Sequence, residues 1–161
     1  MTADFYQTSI LPYAAIIIKI CRAYTDTQSD YEDYYQEVCL QIWRSRESFK
    51  QESEWSTWVY RISLNVCLTL LKKKKKTPAI SDEVPIDISE EVNNYTEQNL
   101  EQLYVAIRKL SQVDKAVILL YLEEKCYDEI AAITGTNANN IGVRINRIKS
   151  RLKKLLHGKI N

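Results

Sequence analysis

The feature that most constrains the fold of this chain is a helix, a glycine turn and a second helix near its C-terminal end. The spacing predicts a short helix over Tyr127–Thr134, a turn at Gly135 and a longer helix that opens at Asn137. Apolar residues of the longer helix recur every three or four positions and form one seam: Ile141, Ile145, Ile148, Leu152 and Leu155. Two helices joined in this way form the unit that fits the DNA major groove.

The face opposite this apolar seam carries side chains that suit base edges and phosphates. Asparagine can bond adenine through two hydrogen bonds, arginine can bond guanine or phosphate, and valine can contact a thymine methyl group. No acidic residue follows Glu129, whereas a helix face that is only solvated usually mixes charges of both signs. We therefore predict DNA binding by this face, through Asn137, Asn139, Asn140, Val143, Arg144 and Arg147.

The remainder of the chain predicts an all-α protein with two small helical domains. Three glycines and three prolines are too few for the turns of a β-sandwich or barrel. Helical periods run through residues 4–24, 30–43, 55–71 and 100–123. Residues 77–96 lack a sustained period and hold an acidic block, which predicts a flexible acidic linker. The first domain is thus expected over 1–76 and the second over 97–161.

Charge is segregated along the chain although the formal net charge is only +1. Five consecutive lysines, Lys72–Lys76, end the third predicted helix, an acidic segment follows, and the C-terminal helix is basic. Such blocks of one sign indicate a polyanionic partner or an acidic arm.

Other classes of protein find little support in the sequence. The apolar stretch over residues 10–20 is interrupted by Pro12 and Lys19 and is too short to span a bilayer, so membrane insertion is not expected. No catalytic triad, phosphate-binding loop or metal-ligand cluster is recognisable, and no cofactor or metal is predicted. Because no pair is spaced as CxxC, we expect buried free thiols in a reducing cytoplasm at Cys21, Cys39, Cys67 and Cys126.

Three segments, taken in order, resemble the sigma-70 superfamily of bacterial sigma factors, in its extracytoplasmic-function group. Asp30–Trp43 is similar to the family's polymerase-binding helix, and Trp55–Asn65 to its promoter-melting helix. The C-terminal helix-turn-helix resembles the family's second DNA-binding domain. The resemblance spans nearly the whole chain and implies a sigma region 2 helical bundle followed by a sigma region 4 domain.

This resemblance implies a protein that binds core RNA polymerase, through its β′ and β subunits, and directs promoter-specific initiation without being an enzyme. It implies contacts to the β′ coiled coil from Asp33, Gln36, Glu37, Ile42 and Trp43. It implies contacts to the opened minus-ten region from Lys50, Gln51, Ser53, Arg61, Asn65, Lys72 and Lys73. The second domain would read the minus-thirty-five element of promoter DNA, and an anti-sigma factor would be a further partner.

Several alternatives remain open from the sequence. A two-domain helix-turn-helix regulator that does not bind polymerase would carry the same C-terminal unit. The acidic linker fits either the active-site cleft of polymerase or a solvated spacer. Spacing to Ile62 favours a core position for Trp58, whereas Trp55 is ambiguous. Gly142 stands where family members often carry a longer polar residue, which permits either close backbone approach to DNA or weaker readout.

Overall fold

The computed structural model describes residues 1–76 and 94–157, with side chains for 1–75 and 98–157. These residues are helical throughout their regular structure and contain no strand. The chain divides into two compact units, whose boundary falls between the two described ranges. The predicted flexible linker lies outside the described residues, except that a helix already begins at Asn94, three residues before the predicted second domain.

The first unit opens with an irregular helical segment instead of the single helix that the apolar period predicts. A short helix α1 (Ala3–Phe5) continues into a π-helical turn at Tyr6–Ile10 and a 3₁₀ turn at Leu11–Tyr13. The regular helix α2 (Ala14–Tyr24) follows. Pro12 lies in the 3₁₀ turn just before α2, where its missing N–H and fixed φ interrupt the regular bonding.

Helices α3 (Gln28–Ser45) and α4 (Trp55–Lys76) complete the first unit. The side chain of Thr27 caps α3 by accepting from the N–H of Asp30 at 3.1 Å. As predicted, α4 includes the five lysines. Helices α2, α3 and α4 pack on one another around a core whose fully buried members include Ile17, Ile20, Val38, Ile42, Val59 and Cys67.

Within residues 94–157, the second unit contains four helices: α5 (Asn94–Arg108), α6 (Gln112–Leu122), α7 (Tyr127–Thr134) and α8 (Ala138–Leu156). Ser111 caps α6 and Asn137 caps α8, each through a side-chain oxygen. Gly135 ends α7 at φ +77°, a left-handed conformation that glycine adopts without steric cost. These ends agree with the predicted helix-turn-helix.

The core of the second unit is built on the predicted seam of α8. Ile141, Ile145 and Ile148 are buried, and α8 packs on the three helices that carry the buried residues Ile107, Leu120 and Ile130. Leu152 is also buried, whereas Leu155 remains partly exposed near the end of α8. Full burial of a large aliphatic side chain contributes about 1.5–3 kcal/mol to the stability of the fold. The buried residues of this seam therefore stabilise the second unit.

The cysteines do not all lie in the core. Cys21, Cys39 and Cys67 are buried free thiols, as predicted, but Cys126 is exposed. Its prediction was wrong because Cys126 is the N-cap of α7, and a helix terminus at the surface leaves its cap in solvent.

Two further observations concern the described residues. No group of three or more histidine, cysteine, aspartate or glutamate side chains there is arranged to hold a metal ion. Within the same part of the chain, every helix is too short or too polar to cross a membrane.

Candidate nucleic-acid interface

The outer face of α8 is a polar, exposed surface on the side opposite the buried seam. Asn139, Asn140 and Arg147 are exposed there, and Val143 is 56% exposed near its centre. An isolated valine in this position offers an apolar contact between polar groups, which matches a thymine methyl group flanked by hydrogen-bonding base edges. Geometry therefore places four of the six predicted residues on one accessible surface.

Asn137 is the N-cap residue of the same helix. Its Oδ1 accepts from the backbone N–H of Asn140 at 3.0 Å, which satisfies one of the N–H groups that a helix start leaves unpaired. The exposed side-chain amide of Asn137 can still donate to a phosphate, while its oxygen stays in the cap.

Arg144 lies at the side of α8 and not opposite the seam, contrary to the prediction. Its Nη1 is 2.8 Å from Oδ1 of Asp114 in the first turn of α6. One turn of helix contains 3.6 residues, so Arg144 follows Ile141 by almost a full turn and remains close to the buried face. The guanidinium is therefore engaged within the unit.

Two more basic side chains of α8 make contacts inside the unit. The Lys149 ammonium donates to the Tyr121 hydroxyl at 2.6 Å and lies 4.4 Å from the centroid of that ring. Arg151 donates to the backbone carbonyl of Lys109, one residue past the end of α5, at 3.1 Å. Some basic side chains of α8 therefore bond to other helices of the unit. Arg147, in contrast, is exposed on the outer face.

Gly142 lies beneath an aromatic ring. A Cβ added at Gly142 would be 3.4 Å from Cε2 of Tyr127, whose side chain is 44% exposed at the start of α7. A Cβ at this position would make an ordinary van der Waals contact with the Tyr127 ring beside the outer face of α8.

In the first unit, the polar loop that precedes α4 is enclosed by aromatic side chains. Phe49 packs edge-on against Trp55 with centroids 5.1 Å apart and lies 5.4 Å from Trp58. Between these residues, Lys50 and Gln51 are exposed and Ser53 is half-buried. The loop therefore presents a cation, an amide and the two carboxylates of Glu52 and Glu54 to solvent beside these aromatic rings.

Helix α4 carries a polar stripe beyond this loop. Arg61, Asn65 and Lys72 are exposed and recur at helical spacing along one side, whereas Lys73 lies about a quarter-turn away. A groove of about 330 Å³ runs between α3 and α4 and is lined by Asn65 and Lys73 together with Glu37. The loop and the stripe together supply cations and hydrogen-bonding groups on the surface of one unit.

Helix α3 presents the acidic surface predicted for it. Asp33 and Gln36 are exposed, and Glu37 is partly exposed with its Oε1 3.9 Å from Arg44. Asp33 and Gln36 stand on the face away from the buried Tyr34 and Val38, and Glu37 lies at the side of α3. The face is suited to a basic partner surface.

Both units match models of known protein families. The model for sigma-70 region 2 matches residues 10–77, and the model for sigma-70 region 4 matches residues 100–152. The chain belongs to the extracytoplasmic-function group of the sigma-70 family.

Similar proteins support this membership over different lengths. The RNA polymerase sigma factor SigV of Bacillus subtilis is 27% identical over 147 residues, covering 91% of this sigma factor and 87% of SigV. The ECF RNA polymerase sigma factor SigG of Mycobacterium tuberculosis is 36% identical over 67 residues, which are 42% of this chain. The chain spans 18% of the length of SigG.

A solved structure shows the same fold. The sigma factor RpoE of Bartonella quintana, crystallised in complex with the anti-sigma factor NepR, matches this sigma factor with a TM-score of 0.75. The match covers 98% of this chain and 99% of RpoE at 23% sequence identity.

Two residues that were predicted as apolar contacts to polymerase differ in exposure, since Ile42 is buried and Trp43 is half-buried. Ile42 is fully buried in the core between the helices of the first unit. Trp43 is covered by the edge of Phe5, at 5.0 Å between centroids, and by the guanidinium of Arg46 at 3.6 Å from its ring centroid. The family resemblance predicted both contacts; full burial contradicts an exposed role for Ile42, whereas the contact of Trp43 stays a prediction.

The structure also adds residues that the prediction omitted. Asn146, Ser150 and Lys154 are exposed on the outer face of α8 beside Arg147 and Val143. A helical projection of α8 would have found them, because each lies well away from the buried seam. A projection of α8 alone could not show that Tyr127 lies beside this face, because Tyr127 belongs to α7.

Proposed function

We propose that this protein binds core RNA polymerase and directs it to a specific set of promoters, without itself catalysing a reaction. The observation that carries the proposal is the order of its surfaces: an acidic face on α3, a polar loop followed by a basic stripe on α4, and an exposed polar face on α8 that we assign to DNA reading. These surfaces coincide with the two sigma-70 regions in the family's order.

Polymerase binding is assigned to α3. Asp33, Gln36 and Glu37 provide exposed acceptors for a basic surface on the β′ coiled coil, where complementary charge increases the association rate and selects the partner. The groove between α3 and α4 continues this surface and offers apolar contact at Ile62, Val66 and Leu70. These groove residues replace Ile42 in the apolar part of the interface.

Minus-ten recognition is assigned to the loop and to α4. Opening DNA costs unstacking and unpairing, and contacts to the freed strand must offset that cost. Lys50, Gln51 and Ser53 stand at the loop, and a further set of polar and basic side chains extends from it along α4: Arg61, Asn65, Lys72 and Lys73. Lysine and arginine neutralise phosphates of the opened strand, so binding should weaken as salt increases.

Minus-thirty-five recognition is assigned to α8. Asn139, Val143 and Arg147 face outward at the spacing that one groove-bound helix face requires. Asn137 and Asn140 lie at the N-terminal end, where backbone N–H groups and side-chain amides suit phosphate. Arg144 is assigned to positioning, because its guanidinium is bonded to Asp114.

Partners and location follow from the same assignment. The first domain, over residues 1–76, is proposed to act as region 2, and the unit that begins with α5 as region 4, with the intervening linker joining them. Core polymerase and promoter DNA place its activity in the bacterial cytoplasm. An anti-sigma factor is a further proposed partner, since RpoE was crystallised with one; it would compete for the polymerase-binding surfaces.

Transcription in vitro tests the proposal. Core RNA polymerase from the source organism is incubated with sheared genomic DNA, with and without the purified protein, and RNA 5′ ends are mapped. We expect new 5′ ends that share upstream sequence only when the protein is present. The alternative, a DNA-binding regulator, predicts binding to discrete fragments without association with core polymerase, and that result would refute the sigma assignment.

A further inference from the structure

The N-terminal segment Ala3–Tyr13 packs against the residues that hold the loop Phe49–Glu54. The indole Nε1 of Trp55 donates to the backbone carbonyl of Ser9 at 2.8 Å, across 46 positions of sequence. The Phe5 ring meets Trp55 edge-on at 6.4 Å and also contacts Trp43. One short segment therefore contacts the residue that follows the loop and the helix that precedes it.

The irregular backbone of this segment explains why the Ser9 carbonyl can accept that bond. In a regular α-helix, the Ser9 carbonyl would bond the N–H of Tyr13. Tyr13 instead lies in a 3₁₀ turn, in which each N–H bonds the carbonyl three residues earlier. The π-helical turn before it and Pro12 within it break the regular register, so the Ser9 carbonyl is left for Trp55.

The loop has little backbone bonding of its own to fix its shape. In the part of the chain that the structure describes, one backbone hydrogen bond outside the helices reaches the loop, from the Trp58 N–H to the Glu54 carbonyl at 3.1 Å. Gln51 has φ +60°, in the left-handed region that costs a non-glycine residue energy. Such a conformation persists only where the surroundings impose it, and here the surroundings are the aromatic residues at the ends of the loop.

These aromatic residues form one continuous cluster. Trp55 and Trp58 lie 4.8 Å apart, and Phe49 contacts both rings. Phe5 extends the cluster to Trp43 and so joins α1, the loop and the end of α3. Tyr6 provides a second attachment, since its hydroxyl lies 2.9 Å from that of Tyr35, away from the loop.

We propose that the N-terminal segment is a brace for the promoter-opening loop, with Phe5 and the Ser9 carbonyl as positioning groups that act through Trp55. The inference rests on the proposed role of this loop in strand opening. A braced loop presents Lys50 and Gln51 to the freed strand without an ordering cost at each initiation event, whereas an unbraced loop must be ordered as the strands separate.

Three variants of the full-length protein separate this role from simple folding. Phe5→Ala removes the ring contacts, and Trp55→Phe retains an aromatic ring but deletes the donor to Ser9. Tyr6→Phe is the matched control, because it breaks the other attachment of the segment and leaves the aromatic cluster in place. Circular dichroism and affinity for core polymerase establish that each variant is folded and assembled.

Two readouts are then compared with those of the unaltered protein. The first readout is the rate of hydrogen exchange at the backbone amides of residues 50–54. The second is the amount of transcript made by the reconstituted holoenzyme, which depends on strand opening. The template is a promoter fragment recovered from the genomic transcription experiment, used as a full duplex and with its minus-ten region held open by mismatches.

We expect Phe5→Ala and Trp55→Phe to accelerate exchange of the loop amides and to reduce transcription from the duplex about three- to tenfold, the loss expected for aromatic contacts of this kind. The mismatched template should restore their activity, and Tyr6→Phe should match the unaltered protein. Unchanged loop exchange, unchanged duplex activity or an equal loss on both templates would overturn the inference. Failure of the unaltered protein to bind core polymerase would instead refute the proposed function.

Discussion

The guanidinium Nη1 of Arg144 lies 2.8 Å from Oδ1 of Asp114, which ties the middle of α8 to the first turn of α6. The two side chains are 35% and 22% exposed, so the pair is partly screened by water. Ser111 also accepts from the Asp114 N–H at 3.2 Å, so the partner carboxylate sits on a capped helix start. One of the six residues predicted to contact DNA is therefore bonded within the unit and helps to hold α8 on α6.

This ion pair predicts a small stability effect. Arg144→Ala and Asp114→Asn should each lower the free energy of unfolding by about 0.5 kcal/mol, the usual size for a partly exposed pair. The double variant should lose little more than either single one, because both changes remove the same contact. Urea denaturation of the four proteins measures the coupling. Additive losses would show that the pair contributes nothing.

Arg147→Ala should behave differently from Arg144→Ala. Its side chain is exposed on the outer face of α8, so we expect unchanged unfolding and weaker binding to minus-thirty-five DNA by about 1–3 kcal/mol. Holoenzyme binding at several salt concentrations measures the effect. Lys109→Ala, a change to an exposed cation outside α8, is the control and should leave affinity at the same promoter intact.

Glu37→Lys should weaken association with core polymerase. The carboxylate is partly exposed on the acidic face of α3, and its reversal places like charges across the proposed interface. Glu47→Lys makes the same charge change at an exposed position just beyond α3 and serves as the control. Competition for core polymerase against a labelled copy of the protein measures the difference. Equal weakening by both variants would indicate a general charge effect.

The two glycines of the helix-turn-helix should respond to alanine with opposite signs. Gly142→Ala should raise the free energy of unfolding by up to about 1 kcal/mol, because alanine favours helix and its Cβ meets Tyr127 at an ordinary 3.4 Å. Gly135→Ala should lower it by about 1 kcal/mol, because φ is +77° there. Thermal and urea unfolding test both signs. A stabilised Gly135→Ala protein would contradict the assigned turn.

The thiols should divide into one reactive and three protected groups. Ellman's reagent should titrate Cys126 in the native protein and Cys21, Cys39 and Cys67 only after unfolding. The hydrogen bond with Cys67, followed by burial, raises the pKa of the Cys21 thiol, which further suppresses its thiolate. Cys126→Ser should abolish the rapid phase. Fast reaction of all four thiols would show that the first unit opens readily.

Stability should decline at alkaline pH. Burial raises the pKa of Cys39 from 9.0 to about 11, so the folded protein retains a proton that the unfolded chain releases. The contribution is complete below pH 9 and is lost as pH rises from 9 to 11, at about 1.4 kcal/mol per pH unit. Urea midpoints between pH 8 and 11 measure the decline. Replacing Cys39 with alanine should make the decline shallower, and the buried thiol of Cys21, whose pKa is also raised, should account for part of the remainder.

The helix-turn-helix was predictable because its determinants are local. The 3–4 residue spacing of Ile141, Ile145 and Ile148, the capping side chain of Asn137 and the left-handed glycine at position 135 each act within one or two turns of chain. The sequence by itself therefore determined the ends of α7 and α8, the buried seam and the outer face that carries Arg147 and Val143.

Tertiary structure decided the roles of residues whose partners are distant in sequence. Arg144 is separated from Asp114 by 30 positions, and Trp55 from Ser9 by 46. Helical spacing also could not distinguish the fully buried Ile42 from an exposed anchor at the edge of the acidic face. Periodicity fixes which side of a helix is apolar, but only packing against other helices fixes which side chains are covered and which polar groups are already bonded.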